Sequence, residues 1–367
     1  MWDLCRPDFP ALPAIPFQRP FLAKCDFAML HRRKVAPRDF YRARFGGRLN
    51  SPLSLAAYRA HFIARERLDL PLYLGSTLRG AFGRAFRQLA CPSRLGEPCP
   101  IPLQCPYHLI FESSPPPGSE ALRTHEEIPR PFVLAPEWRA ADEGARLIFE
   151  PGEELSFGLT LIGRAQEFFP HFVVAMREMD RIGRGRRAIE LARIESLDPR
   201  DGDESGRVVY DARDNIVRGT APATTLDDCA CDAPVGRITI EFLTQTRLKH
   251  EGSWARVPEF HIVFRRLMGR LSSLSRFHCG APLEVDFKAM IDRAQEIRLV
   301  RNRTRWVSWS RYSSRQDRKM QWDGLVGAAT YEGDLTPFWL FLKFGERCHV
   351  GHSATFGLGG YRAGTAG

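Results

Sequence analysis

Residues 235–277 read VGRITIEFLTQTRLKHEGSWARVPEFHIVFRRLMGRLSSLSRF. The first part reads as a strand. From Pro258 the period changes: Phe260, Val263, Phe264, Leu267, Leu271 and Leu274 recur at three- and four-residue intervals and define one face of a helix, whose other face carries Arg265, Arg266, Arg270 and Arg276. Working outward, RTRWVSWSRYSS (303–314) and KMQWDGLVGAATYEG (319–333) read as a hairpin. TPFWLFLKFGE (336–346) is a helix, and the chain closes on VGHSATFGLGGYR (350–362). The order β, α, β, β, α, β is that of a ferredoxin-like domain.

The first half repeats the theme less cleanly. LSLAAYRAHFIARERL (53–68) reads as a strand with Leu53, Leu55, Ala57, Arg59, His61 and Ile63 on one parity. LYLGSTLRGAFGRAFRQLA (72–90) is an amphipathic helix through Leu74, Leu78, Phe82, Phe86 and Leu89. Strands over 152–163, 187–197 and 207–217 and a helix over 167–182 follow. The expected fold class is therefore α+β, two tandem ferredoxin-like (RRM-like) domains with a C-terminal glycine-rich loop. The expected boundaries are a basic arm over 1–50, a first domain over 51–233 carrying a cysteine-bearing insertion (91–108), and a second domain over 234–367. Gly80 and Gly83 each cost about 1 kcal/mol inside a helix, which implies close backbone approach of a neighbouring strand, or of a nucleic-acid strand beside Arg79, Arg84 and Arg87.

A formal net charge of +10 and a sequence pI near 9.4 point to a polyanionic partner. The charge is patchy: residues 1–50 hold ten Lys/Arg against four Asp/Glu, and residues 293–319 hold nine against two. Between Arg301 and Trp322, arginines interleave with Trp306, Trp309, Tyr312 and Trp322, the mixture that holds phosphates while stacking on unpaired bases. A hairpin with a buried Trp face and a solvated Arg face has the same pattern, and for Trp306 and Trp309 this is the better reading. No stretch of eighteen apolar residues exists and the first twenty residues lack a secretory layout, so a cytoplasmic protein without a membrane partner is expected. The nine cysteines are then expected as thiols.

LPLYLGSTLRGAFGRAFR (70–87), CPSRLGEPCPIPLQCPYHLIFE (91–112), RYSSRQDRKMQWDGLVGAATYEGD (311–334) and HVGHSATFGLGGYR (349–362) occur in this order. Together they resemble the precursor-CRISPR-RNA processing endoribonucleases of the CRISPR-associated RAMP superfamily. The resemblance implies recognition of a CRISPR repeat RNA, often a hairpin, and cleavage without a cofactor. The 2′-hydroxyl attacks the adjacent phosphate, leaving a cyclic phosphate and a 5′-hydroxyl. It further implies guide RNAs delivered to an antiviral effector complex, whose other subunits are candidate partners. The alternative is a non-catalytic RNA-binding subunit of such a complex.

The family commonly places a catalytic histidine near its first helix, and this helix has none. The candidates are His61, shortly before it, with Tyr58 nearby, and His352 ahead of the glycine-rich loop; histidine suits proton transfer near neutral pH. A lone histidine is more often structural than catalytic. Expected RNA contacts are Arg79, Arg84, Arg311, Ser313, Arg315 and Gln316, with Gly357, Gly359, Gly360, Tyr361 and Arg362 of the loop, whose backbone N–H groups could bind phosphate oxygens. Cys91, Cys99, Cys105 and His108 offer four soft ligands within eighteen residues, a candidate structural zinc site set against unliganded cysteines in a loop.

Overall fold

A computed structural model describes residues 51–365, apart from 95, 114–127, 137–145, 184, 199–205, 231–233, 309 and 314–317; for 310–313 and 318–321 it describes the backbone. The chain divides into two units, residues 1–36 and 37–367, and the elements below belong to the second. The expected basic arm over 1–50 lies outside the described residues.

The first half runs β1 (Ser54–Ala64), β2 (Leu68–Pro71), α1 (Gly75–Ala90), α2 (Pro106–Phe111), β3 (Phe132–Pro136), β4 (Arg146–Phe149), β5 (Glu154–Ile162), α3 (Phe169–Arg177), β6 (Arg181–Ile182), β7 (Arg187–Leu197), β8 (Arg207–Asp211), β9 (Ile216–Val217) and β10 (Thr224–Thr225). Its sheet has the order β3-β5-β1-β7-β8-β9. Taking β1, β3, β5 and β7 as the four strands, with α1 and α3 as crossovers, the antiparallel order is that of a ferredoxin-like domain; α2 and the cysteine loop are inserted after α1. The second half runs β11 (Arg237–Thr246), β12 (Lys249–His250), β13 (Ser253–Trp254), α4 (Phe260–His278), α5 (Phe287–Gln295), β14 (Arg298–Val307), β15 (Ser310–Ser313), β16 (Arg318–Gln321), β17 (Gly324–Glu332), α6 (Thr336–Cys348) and β18 (Tyr361–Thr365). Its sheet, β14-β17-β11-β18, has the same order in antiparallel register. The fold is α+β, with two ferredoxin-like sheets.

Each sheet buries one face under its helices. In the first, Leu78, Phe82 and Phe86 of α1 pack with Phe111, Phe132 and Phe172, the Phe82 and Phe172 rings 5.3 Å apart and Phe111 and Phe132 4.8 Å apart. In the second, Phe260, Phe264, Leu267 and Leu271 of α4 meet Phe338 and Phe341 of α6, with Phe264 and Phe338 edge to face at 4.7 Å. No strand backbone approaches the two helix glycines: a Cβ at Gly83 would come within 3.2 Å of the Phe111 ring of α2, and one at Gly80 would meet open space among the described residues.

Several sequence expectations shift. The core face of β1 is the even parity, Ala56, Tyr58, Ala60, Phe62 and Ala64, so His61 and Arg59 lie on the opposite face. Residues 207–217 form a hairpin, β8 and β9, rather than one strand. β14 begins at Arg298, five residues earlier than its apolar content suggests, because exposed arginines occupy its outer face. The short α5 and β3 were not anticipated.

Gly359 sits at φ +71°, and a Cβ there would collide with the Val350 carbonyl. Gly359→Ala is expected to cost more than about 2 kcal/mol, from left-handed strain plus the clash. Gly364→Ala, where a Cβ meets open space, is expected to leave the melting temperature unchanged; thermal denaturation of both variants checks this.

Candidate nucleic-acid interface

The glycine-rich loop is the seam between the two sheets. Phe356 and Leu358 pack with Tyr73, just before α1, and with Trp322, just before β17. Trp322 lies 5.0 Å from the Phe356 ring and 5.2 Å from Tyr73. The Tyr73 hydroxyl donates to the Phe356 carbonyl, and the Arg79 guanidinium stacks 4.6 Å over the Phe356 ring. A Cβ at Gly75 would strike the Phe356 carbonyl, and one at Gly357 would come within 2.7 Å of Leu134 O on β3. Bare backbone is thus required on both sides of the contact.

This packing corrects the expected chemistry of the loop. Its amides are spent inside the fold: Gly357 N donates to Ala354 O, Gly359 N to Gln245 O at 3.1 Å and Gly360 N to Thr244 Oγ1 at 2.8 Å. The Thr244 hydroxyl in turn donates to Gly357 O at 2.9 Å. Tyr361 is 2% exposed, donates to Leu342 O at 2.7 Å, and burial raises its phenol well above the usual value. Gly357, Gly359, Gly360 and Tyr361 build the loop, while Arg362 projects outward from β18 and is exposed. Two side-chain atoms buried in this seam, Gln245 Oε1 and Trp322 Nε1, have no hydrogen-bond partner among the described residues. A glutamine at the end of a strand carries no sequence signal for such a place.

The histidines sort sharply. Tyr58 is 1% exposed, stacked 4.1 Å from Phe169, accepts a hydrogen bond from Ala221 N, and burial lifts its pKa to about 12. It is a core residue, contrary to its expected catalytic place. His61 faces the other side of β1 and is 5% exposed. Its Nδ1 lies 2.6 Å from Glu154 Oε1 and its Nε2 makes an ion-pair contact of 3.1 Å with Glu195, off the hydrogen-bond line. Arg193 bridges the same two carboxylates at 2.6 and 3.0 Å. Burial alone would raise Glu154 and Glu195, but Arg193 and His61 outweigh it and hold both below the usual carboxylate range. With Nδ1 bonded to Glu154 on β5 and Nε2 buried against Glu195 on β7, His61 links three strands. His349 is buried beneath Gly360, its Nδ1 3.0 Å from Leu358 O, and burial lowers its pKa to about 4. His352 is exposed, with Nδ1 2.8 Å from Ser353 Oγ and its ring edge-on to Trp254 at 6.1 Å.

His352 has company that the sequence did not advertise. The tight β12–β13 hairpin turns through Glu251 and Gly252, both at positive φ, and sets Trp254 between His352 and Arg247, whose guanidinium lies 5.1 Å over the indole. Arg247 also pairs with Asp323, and its carbonyl accepts from His352 N at 3.3 Å. His250 and His261 meet edge to face at 5.7 Å nearby on the same hairpin and on α4. The EG dipeptide between KH and SW was the available signal for this hairpin.

The outer face of the second sheet is basic. Arg301, Arg303 and Arg305 are exposed along the edge strand β14 and form no ion pair among the described residues, unlike Arg298, which pairs with Glu332 at 3.2 Å. Arg256 stacks 3.7 Å over Trp306, which is half-buried against the core. Arg347 is pulled down to about 10 by burial and by the neighbouring Arg362 and Arg59, so guanidinium groups from α6, β18 and β1 come near one another. Among the other expected contacts, Arg84 is exposed on α1 and Arg79 is engaged in the seam. Arg311 and Ser313 lie on β15, of which the backbone alone is described, and Arg315 and Gln316 lie outside the described residues. Cys91, Cys99 and Cys105 come together, their Sγ atoms all within 4.8 Å of one another; His108 instead turns Nδ1 toward Glu112 at 3.7 Å.

Residues 240–361 match the family model of the CRISPR-associated endoribonuclease Cas6, and residues 53–222 match a second model described as an N-terminal domain. The C-terminal third of the chain thus resembles the CRISPR-associated endoribonuclease Cas6. No curated protein matches the chain in sequence. Among solved structures, a Cas6 product complex is 18% identical over 84% of this chain and 99% of its own, with a TM-score of 0.52. The partial Cas6-RT-Cas1–Cas2 complex is 13% identical over 87% of this chain and 47% of its own, TM-score 0.53. Thermus thermophilus Cas6 is 16% identical over 85% and 98%, TM-score 0.49. At these identities the likeness is one of fold. The matched model is described as one of CRISPR-associated endoribonucleases. No helix among the described residues is long and apolar enough to cross a membrane.

The His61 cluster makes a pH-dependent contribution to stability. Because Glu154 and Glu195 are held below their ordinary range, that contribution is present above about pH 4.5 and is lost as pH falls through their folded values. His61→Ala is expected to cost about 1–3 kcal/mol at neutral pH, with a smaller difference from the unsubstituted chain in acid. Melting curves from pH 3 to 7 read this, and a strut predicts unchanged RNA cleavage per folded molecule.

Proposed function

We propose that this chain binds CRISPR repeat RNA across the outer face of its second sheet and cleaves precursor CRISPR RNA by 2′-hydroxyl attack, without a metal ion, yielding guide RNAs for an antiviral effector complex. The observation that carries the reading is the match of residues 240–361 to the Cas6 endoribonuclease family, on a face where Arg301, Arg303, Arg305 and Arg362 stand exposed. In this chemistry the 2′-oxygen bonds to phosphorus as the bond from phosphorus to the 5′-oxygen breaks. One proton leaves the 2′-hydroxyl and another reaches the departing oxygen, giving a 2′,3′-cyclic phosphate and a 5′-hydroxyl. His352 is our candidate for proton transfer, because it is the exposed histidine beside the glycine-rich loop, edge-on to Trp254. Other CRISPR effector subunits are the candidate protein partners.

The second reading, an RNA-binding subunit that does not cut, is favoured by one observation: the histidine before the first helix is locked between Glu154 and Glu195. Incubating the protein with its cognate repeat RNA in EDTA, beside RNA with a 2′-deoxy substitution at the break, separates the two. Cleavage that survives EDTA and vanishes with the deoxy substrate is the expected result; tight binding of the natural RNA with no product would establish the second reading. His352→Ala is expected to slow single-turnover cleavage by about 10²–10⁴-fold with affinity retained. An unchanged rate removes His352.

Arg303→Ala and Arg305→Ala are each expected to weaken repeat-RNA binding and to reduce the slope of log affinity against log salt by about one. Filter binding across a salt series measures both quantities. Slopes equal to that of the unsubstituted chain would move the RNA path off β14.

A further inference from the structure

We propose that Cys91, Cys99 and Cys105 are the ligands of a structural zinc-class cation that pins the 92–104 loop onto the first core. The three Sγ atoms lie within 4.8 Å of one another. Around a tetrahedral zinc, with Zn–S bonds of about 2.3 Å, sulfurs stand roughly 3.8 Å apart, so the thiols need to close only slightly on an ion.

Two of the ligands are placed by helices. Cys91 follows the last turn of α1, its N–H donating to Arg87 O at 2.9 Å, and Cys105 caps the start of α2; both are buried in the first core. Cys99 arrives from the loop between them. That loop has little else to hold it: of its described residues, all are exposed except half-buried Ser93 and Cys99, and Cys99 is the one that packs on the core. Ile101 and Leu103, the apolar side chains that would ordinarily fold inward, are 45% and 72% exposed.

The loop's path is already shaped for the site. Arg87 Nη2 donates to the carbonyls of Arg94 and Glu97 at 3.2 and 3.0 Å, and Ser93 Oγ donates to Pro98 O at 2.9 Å. These bonds present Cys99 to the other two sulfurs. A cysteine brought from a solvent-exposed, four-proline loop onto two buried cysteines is poorly explained as apolar filler, since Ile101 and Leu103 would fill better. A disulfide would use two and strand the third. The fourth coordination position is left to solvent or to the ring of His108, one turn into α2. The proposal stands independently of whether the chain cuts RNA.

The test uses the full chain purified under reducing conditions. Mass-spectrometric metal analysis is expected to find one zinc per chain, retained on dialysis and released by a thiol-reactive mercurial. Cobalt(II) exchanged into the site is expected to give thiolate charge-transfer and tetrahedral d–d absorption. Cys99→Ser, altering the half-buried ligand, is expected to keep the native circular dichroism, to weaken metal affinity at least tenfold, and to speed tryptic cutting at exposed Arg94. Metal-free protein whose cobalt form shows no charge-transfer band would overturn the proposal, whether or not the variant folds. Intact-mass detection of a disulfide within 91–105 in that preparation would do the same.

Discussion

The placement of His352, Arg362 and Arg247 hangs on the contact between bare backbone at Gly357–Gly360 and what surrounds it. Gly357 lies against Leu134 and Pro136 of the first sheet, and Gly359 against Val350 of the second half, at distances that leave no room for a Cβ. The loop's amides donate to Gln245 and Thr244 at the end of β11, so the seam is hydrogen-bonded as well as packed. Side chains would keep the two sheets apart; glycine lets them share a wall of Tyr73, Trp322, Phe356 and Leu358. A glycine-rich segment beside a basic surface invites the idea of a phosphate cradle. Here the amide protons are committed elsewhere, and the loop serves by fixing where Arg362, His352 and Arg247 stand.

A second constraint is the two-residue period of a strand. Tyr58 and His61 are three apart on β1 and therefore point to opposite faces. One enters the aromatic core and stacks on Phe169; the other joins Glu154, Arg193 and Glu195. Neither environment suits a proton shuttle: the phenol is buried with its oxygen bonded, and the imidazole has a carboxylate at each nitrogen. Nearness in sequence to the first helix is thus no guide to function for this pair.

Periodicity made the large elements legible. Helices α1, α4 and α6 and strands β1, β5, β7 and β11 follow from apolar spacing, because each buries one stripe against a sheet and the burial dictates the residues. What escaped detection has a common cause. The core face of β1 is not legible because residues of both parities are apolar or buried there, Leu55 reaching the second core while Tyr58 enters the first. β14 was begun late because its exposed face carries arginine rather than a mixture. The Arg247–Trp254–His352 group draws on a strand end, a six-residue hairpin and a loop, and no local pattern links residues that meet through the fold. Cys91, Cys99 and Cys105 were readable as a group because all three lie on one short segment, whereas the orientation of His108 toward Glu112 depended on a rotamer.

The charge that first suggested a polyanion becomes more informative once sorted by partner. Much of the arginine is already neutralised: Arg65, Arg67, Arg146, Arg213, Arg218 and Arg237 all sit beside carboxylates. Pairs of that kind at the surface contribute little stability and leave little net field. Arg301, Arg303 and Arg305 differ: they project from an edge strand in a regular row with no carboxylate against them among the described residues. Successive outward side chains on a strand lie about 6.6 Å apart, close to the spacing of phosphates along an extended single strand. Phosphate binding at such a row releases condensed counterions without first breaking an ion pair, so each contact retains most of its electrostatic gain. Net charge therefore overstates the binding surface, and the row on β14 is where an RNA backbone would gain the most.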